Sequence, residues 1–144
     1  MKRKYLVATH GKLASGIRSS IGILAGKENE INVIDAYVTD EDYTPKIEDF
    51  INQIKEDEQG IIFTDLYGGS VNQKIVTLTL NSNVRDRIKI ITNANLAIVL
   101  SVIFADESKA LTDEQIENLT NEAKVTLVNL QPKKEENEDD AFFS

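Results

Sequence analysis

The sequence predicts an α/β domain, an open, mostly parallel twisted sheet with helices on both faces. Two patterns carry that reading. Apolar runs of strand length at Lys4–Ala8, Glu30–Tyr37, Gly60–Thr64 and Ile88–Thr92 alternate with stretches whose apolar residues recur at three- and four-residue spacing. The connections are short, and strand–helix–strand units joined this way close by right-handed crossovers that make neighbouring strands parallel. A third observation fixes the size: 144 residues with 41% hydrophobic content bury one core, so one domain is expected over residues 1–130, followed by an acidic tail over 131–144.

Taken in order, Lys4-Tyr5-Leu6-Val7-Ala8 is apolar enough for a strand buried on both faces. It ends in Thr9-His10-Gly11, after which Leu13, Ile17, Ile21 and Leu24 mark the buried face of a helix stopping near Gly26. Glu30–Tyr37 is the second strand, and Thr39-Asp40-Glu41-Asp42-Tyr43 is a polar connector of the kind that faces a substrate or partner. Thr44 as N-cap and Pro45 as first helical residue open the next helix, with Ile47, Phe50, Ile51 and Ile54 as its apolar stripe. Between the third and fourth strands, Ser70 is expected to cap a helix running to about Leu80. The segment Leu96–Ala105 is apolar except at Ser101, and a helix apolar all round in so small a domain points to cover by a partner subunit. Thr112-Asp113-Glu114-Gln115 opens a helix with acids in its first turn, as the helix dipole favours. Lys124–Leu130 reads as a last strand. From Pro132 the run Lys133–Asp140 cannot bury apolar area and is expected to be disordered, and Phe142-Phe143 could dock.

Composition narrows the function. The chain has no cysteine and one histidine, which excludes disulfides and the usual Cys/His metal sites while leaving a carboxylate-bound magnesium open. A net charge of −8 argues against nucleic acid and fits partners with a basic face. The N-terminal apolar run is too short for a secretory signal, and no run reaches the roughly 20 apolar residues of a membrane span. A cytoplasmic protein is expected.

The chemistry-bearing residues fall at two strand ends. His10 follows the first strand, and Asp65 follows the third in Phe63-Thr64-Asp65-Leu66-Tyr67-Gly68-Gly69-Ser70. In open parallel sheets the working crevice lies beyond the carboxyl ends of the strands, so these side chains meet if the two strands are neighbours. A carboxylate accepting a proton from one imidazole nitrogen fixes the tautomer and leaves the other nitrogen as a nucleophile. Gly68 and Gly69 let backbone approach a ligand, and Ser70 at a helix start adds donors suited to a phosphoryl group. Together these residues point to a phosphohistidine site, although each one alone has a structural reading: a hydrogen-bonded histidine, a turn aspartate, a tight connection, a cap.

At these residues the chain resembles the IIA domain of the mannose family of the bacterial phosphoenolpyruvate-dependent sugar phosphotransferase system. The matching stretches are Thr9-His10-Gly11-Lys12-Leu13-Ala14-Ser15-Gly16, Ile23-Leu24-Ala25-Gly26, and Phe63 to Ser70 with Asn72, within a similarity covering about residues 1–130. The resemblance implies that His10 takes a phosphoryl group from the carrier protein HPr and hands it to a IIB subunit for sugar uptake and phosphorylation. Asp65 would orient His10 and Ser70 would contact the phosphoryl group. It also implies a homodimer with an exchangeable C-terminal strand, no nucleotide, metal or other cofactor, and contact with the membrane only through transporter subunits. Val71 stands where many members have proline, and Tyr67 where some have tryptophan. With no IIB domain following, the acceptor is expected to be a separate protein. Two other readings remain open: a donor subunit for dihydroxyacetone kinase, disfavoured by Gly11 where that group tends to carry serine, and a non-catalytic regulatory module of the same fold. The sugar is not legible, because a IIA domain never touches it.

Overall fold

A computed structural model describes residues 1–131. The elements are β1 (Lys2–His10), α1 (Leu13–Ala25), β2 (Ile31–Ala36), α2 (Thr44–Asn52), β3 (Glu58–Thr64), α3 (Ser70–Leu80), β4 (Ile88–Ile91), α4 (Leu96–Ile103) and α5 (Asp113–Glu122). All four strands are parallel in the order β2-β1-β3-β4. The α/β architecture is therefore the expected one. Strand alternation divides the core. Tyr5, Val7, Ile61 and Phe63 face α1, α4 and α5, whereas Leu6, Ala8 and Ile62 face α2 and α3. β1 thus feeds a helix on one face and its neighbour β3 feeds a helix on the other, which opens a crevice at their carboxyl ends.

Local chemistry shifts several expected boundaries. The buried face of α1 is Ala14, Ile17 and Ile21, while Leu13 and Leu24, expected in the core, are half exposed. The Ala14 N–H donates to Thr9 Oγ1 at 2.8 Å, which turns Ala14 rather than Leu13 toward the sheet. At α2 the N-cap is Tyr43, not Thr44, because the Asp42 carboxylate accepts the Thr44 N–H at 3.0 Å and holds Thr44 in the first turn. α5 carries a capping box in which Thr112 and Gln115 satisfy each other's backbone N–H.

One face of the apolar segment after β4 finds its cover within the chain. Asn95 caps α4 by accepting the Ile98 N–H at 2.9 Å, and Ile98, Val99, Val102 and Ile103 are buried against α1 and α5. Phe104, at the end of the segment, stays 61% exposed. Arg3 closes the other end of α4 from within β1. Its buried guanidinium donates to the carbonyls of Ala105, Asp106 and Val102 and its Nε to Tyr5 Oη, so cationic donors meet the carbonyl end of the helix dipole.

Lys124–Leu130 forms no strand. Nothing among the described residues pairs with it, and Val125, Leu127 and Leu130 are 91%, 95% and 88% exposed. β4, the strand at one edge of the sheet, has its outer side free among the described residues. The acidic tail, apart from Gln131, and Phe142-Phe143 lie outside the described residues.

Candidate functional site

The site forms where the register of the sheet brings three strand ends together. Ala8 pairs with Thr64, so His10 and Asp65 emerge side by side from β1 and β3. His10 pairs with Ala36, so the residue after β2, Tyr37, emerges on the other side of the histidine. Gly11, at φ +61°, turns the chain out of β1 and donates its N–H to Ala36 O at 2.8 Å.

Asp65 Oδ2 accepts from the His10 backbone N–H at 2.8 Å and lies 2.9 Å from Nδ1. The backbone bond fixes the carboxylate, and the ring bond fixes the imidazole. Burial alone pushes the Asp65 carboxyl up, but the two hydrogen bonds from His10 and the attraction of its ring hold it below the usual carboxylate range. An ionised Asp65 accepts rather than donates, so the tautomer it selects carries the proton on Nδ1 and presents a lone pair at Nε2. Asp65 is 10% exposed at its side chain and His10 39%, so the carboxylate is sheltered and the ring is reachable.

On the Nε2 side stands Ser70, whose Oγ is 3.3 Å away. Ser70 is not the cap of α3. Gly69 takes that position in extended backbone (φ −68°, ψ 164°), which frees the serine hydroxyl to point at the histidine from the first turn of the helix. Gly68 occupies the third place of a turn closed by Gly69 N–H to Leu66 O at 3.0 Å, and its φ of +73° is one that glycine adopts without strain. Asn93, itself left-handed, accepts the Tyr67 N–H at 2.9 Å, and Gln73 donates to Gly68 O at 2.7 Å. Beneath the turn, the Thr64 hydroxyl lies 2.8 Å from Asn72 Oδ1 and 2.9 Å from Thr92 Oγ1.

All five residues singled out in the sequence, His10, Asp65, Gly68, Gly69 and Ser70, are thus in one place. Two tyrosines that sequence reasoning left out join them. The Tyr37 ring stacks on His10 with centroids 5.4 Å apart and planes at 28°, and its hydroxyl is 2.9 Å from Ser70 Oγ. Tyr43, buried behind it, meets Tyr37 edge-on at 5.6 Å, has its hydroxyl 3.3 Å away, and carries Lys74 Nζ 4.4 Å above its ring centroid. Hydrogen bonding with Ser70 and then with Tyr43 lowers the Tyr37 phenol, whereas burial, followed by the bond to Tyr37, raises that of Tyr43. The available signal was position: Tyr37 is the last residue of the second predicted strand, and β2 itself stops one residue earlier, at Ala36.

Among the described residues no group of three or more His, Cys, Asp or Glu could hold a metal ion, and no helix is long and apolar enough to cross a membrane. The arrangement can hold one imidazole in a fixed tautomer with a hydroxyl and a helix N-terminus at the free nitrogen. That suits attack on, and temporary retention of, an anionic electrophile.

Fold and site together define a doubly wound α/β protein with a carboxylate-oriented histidine at its topological switch point. The family model EIIA-man, the PTS system fructose IIA component, matches residues 4–120, and the chain belongs to that family of phosphotransferase-system IIA components. Among similar solved structures, a protein of Klebsiella pneumoniae assigned to a phosphoenolpyruvate-dependent sugar phosphotransferase system permease is 27% identical, with 85% of this chain and 84% of that one covered at a TM-score of 0.67. The PTS IIA protein associated with the fucose utilization operon of Streptococcus pneumoniae is 24% identical over 90% and 94% of the two chains, with a TM-score of 0.69. The mannose/sorbose specific IIA subunit from Enterococcus faecalis is 17% identical over 93% and 100%, with a TM-score of 0.73. The last two are likenesses of fold. A search of curated proteins finds no match to the chain.

Proposed function

We propose that this IIA component is a phosphocarrier working through His10. The phosphorus of a phosphohistidine on HPr is attacked by the Nε2 lone pair; the N–P bond to the donor breaks as the new N–P bond forms, and the donor ring leaves as a neutral imidazole. The Nδ1 proton stays in place, so the His10 ring becomes an imidazolium, whose positive charge the Asp65 carboxylate stabilises. Ser70 donates to a phosphoryl oxygen from the α3 N-terminus, where the dipole favours negative charge, and Gly68 and Gly69 leave room for the group. A separate IIB subunit then takes the phosphoryl group in the reverse sense and passes it to sugar.

One observation carries this reading: Nδ1 is 2.9 Å from Asp65 Oδ2 while Nε2 is 3.3 Å from Ser70 Oγ, so the ring is held at one nitrogen and offered at the other. Residues 1–130 would form the working domain, on the cytoplasmic side of the transporter. We further propose a homodimer in which residues 124–130 add a strand to a partner. The exposed apolar side chains of Val125, Leu127 and Leu130 and the free edge of β4 support it.

Incubation with phosphoenolpyruvate, enzyme I and HPr, followed by intact mass measurement, tests the carrier role. One acid-labile phosphoryl adduct on the native chain and none on His10→Ala is expected. No adduct, with HPr phosphorylated in the same tube, would remove the assignment.

A further inference from the structure

Tyr37 is the one residue around His10 that sits in a conformation its side chain disfavours. Its φ is +68°, a region where a bulky L-residue is strained and glycine is not. Its ring gains little burial in return, being 59% exposed. The surroundings nevertheless hold it there. Gly11 N–H pins the Ala36 carbonyl just before it, Tyr43 braces its ring edge-on, and its hydroxyl is engaged at both Ser70 and Tyr43. Strain retained at an exposed aromatic beside a reactive imidazole calls for a role outside stability.

The hydrogen bonds have one consistent direction. Asp65 is an acceptor, so Nδ1 carries the ring proton and Nε2 can only accept; Ser70 then donates to Nε2 and must accept from Tyr37. Tyr37, having given its proton to Ser70, accepts from Tyr43. The order is Tyr43 to Tyr37 to Ser70 to His10, with each hydroxyl aiming the next. The stacked ring covers one face of the imidazole, and its negative π-face favours a positive ring over a neutral one.

We propose that Tyr37 is a positioning residue for the histidine site: its hydroxyl aims Ser70 at Nε2, and its ring shields and stabilises the His10 imidazolium that bears the phosphoryl group. The second half rests on the phosphocarrier reading; the first half does not. When Nε2 becomes bonded to phosphorus, the Ser70 proton it had been receiving turns to a phosphoryl oxygen while Tyr37 keeps the serine oxygen in place. Tyr37 thereby sets how long the phosphoryl group survives before water or an acceptor removes it.

Tyr37→Gly and Tyr37→Phe separate this role from a structural one. Glycine relieves the backbone strain and removes ring and hydroxyl together; phenylalanine keeps the ring and loses only the hydroxyl. Three quantities are measured: the denaturant midpoint, the imidazole ¹⁵N shifts of unphosphorylated His10, and the rate at which the adduct is lost after the donor is removed. Tyr37→Gly is expected to be at least as stable as the native chain yet to lose its adduct about two- to fivefold faster, the size of an exposed cation–π contact. Both variants should move the Nε2 resonance as Ser70 is released, with Tyr37→Phe losing its adduct at a rate between the other two. A less stable Tyr37→Gly with unchanged ¹⁵N shifts and adduct lifetime would make Tyr37 structural and overturn the proposal. If the native chain takes no adduct, the phosphocarrier reading fails separately and the ¹⁵N shifts decide the role of Tyr37: a moved Nε2 resonance upholds the positioning of Ser70, and an unmoved one refutes it.

Discussion

Asp65→Asn keeps the shape of the side chain and removes its charge, and the structure says where each new atom goes. Both His10 donors converge on Oδ2, at 2.8 and 2.9 Å, while Oδ1 is buried without a hydrogen-bond partner among the described residues. The amide oxygen must therefore replace Oδ2, since an NH₂ there would face two donors. The amide NH₂ is then left at the Oδ1 position, buried and without an acceptor, at a cost of about 1–3 kcal/mol. Two charge-assisted bonds also become neutral ones, which are about half as strong, so the imidazolium of a phosphorylated His10 should lose about tenfold in equilibrium population. Urea denaturation across pH measures the first effect. Because the folded carboxyl titrates below its unfolded value, its contribution is fully present above about pH 4 and is lost as pH falls through the folded value. The gap between native and Asp65→Asn chains should be wide at pH 7 and narrow in acid. A gap of zero at pH 7, or one that widens in acid, would refute the reasoning.

Three further outcomes follow from other parts of the molecule. A Cβ on Gly69 would lie 3.2 Å from both Leu66 Cβ and Leu66 O and 3.6 Å from His10 Cε1, so Gly69→Ala should cost about 1 kcal/mol in denaturation and slow phosphorylation about tenfold by displacing the turn beside the ring. Arg3→Ala strips donors from three carbonyls at the end of α4 and should cost about 2–4 kcal/mol, read as a lower denaturant midpoint with no change at the distant histidine site. Leu127→Lys with Leu130→Lys alters side chains that are 95% and 88% exposed, so the fold should survive while light scattering shows a dimer become a monomer; an unchanged mass counts against strand exchange.

Sequence patterning left the strand order open, yet it identified every strand of the sheet, because buried parallel strands are written as continuous apolar runs. His10 and Asp65 were legible for a related reason: each directly follows such a run, whereas the adjacency of their strands, on which their meeting depends, is supplied by the structure. Tyr37 was not, since nothing in the order of residues tells that a tyrosine after β2 will take φ +68° and fold back over the histidine. Of the two duties expected of Ser70 the cap was misassigned, because a serine before an apolar stripe signals a cap, and Gly69 fills that role here. Arg3 was missed through its charge; only the carbonyls of a helix a hundred residues away make its burial tolerable. Lys124–Leu130 carries strand-like composition without a strand, and composition does not say which chain supplies the neighbour.

The central claim is that Asp65 holds Nδ1 and leaves Nε2 to react. Long-range ¹H–¹⁵N correlation of the phosphorylated chain, with ³¹P coupling to identify the substituted nitrogen, reads this directly. Phosphorus bonded to Nε2 of His10, with a proton retained on Nδ1, is the expected result. Phosphorus on Nδ1, or on any other residue, would contradict the account.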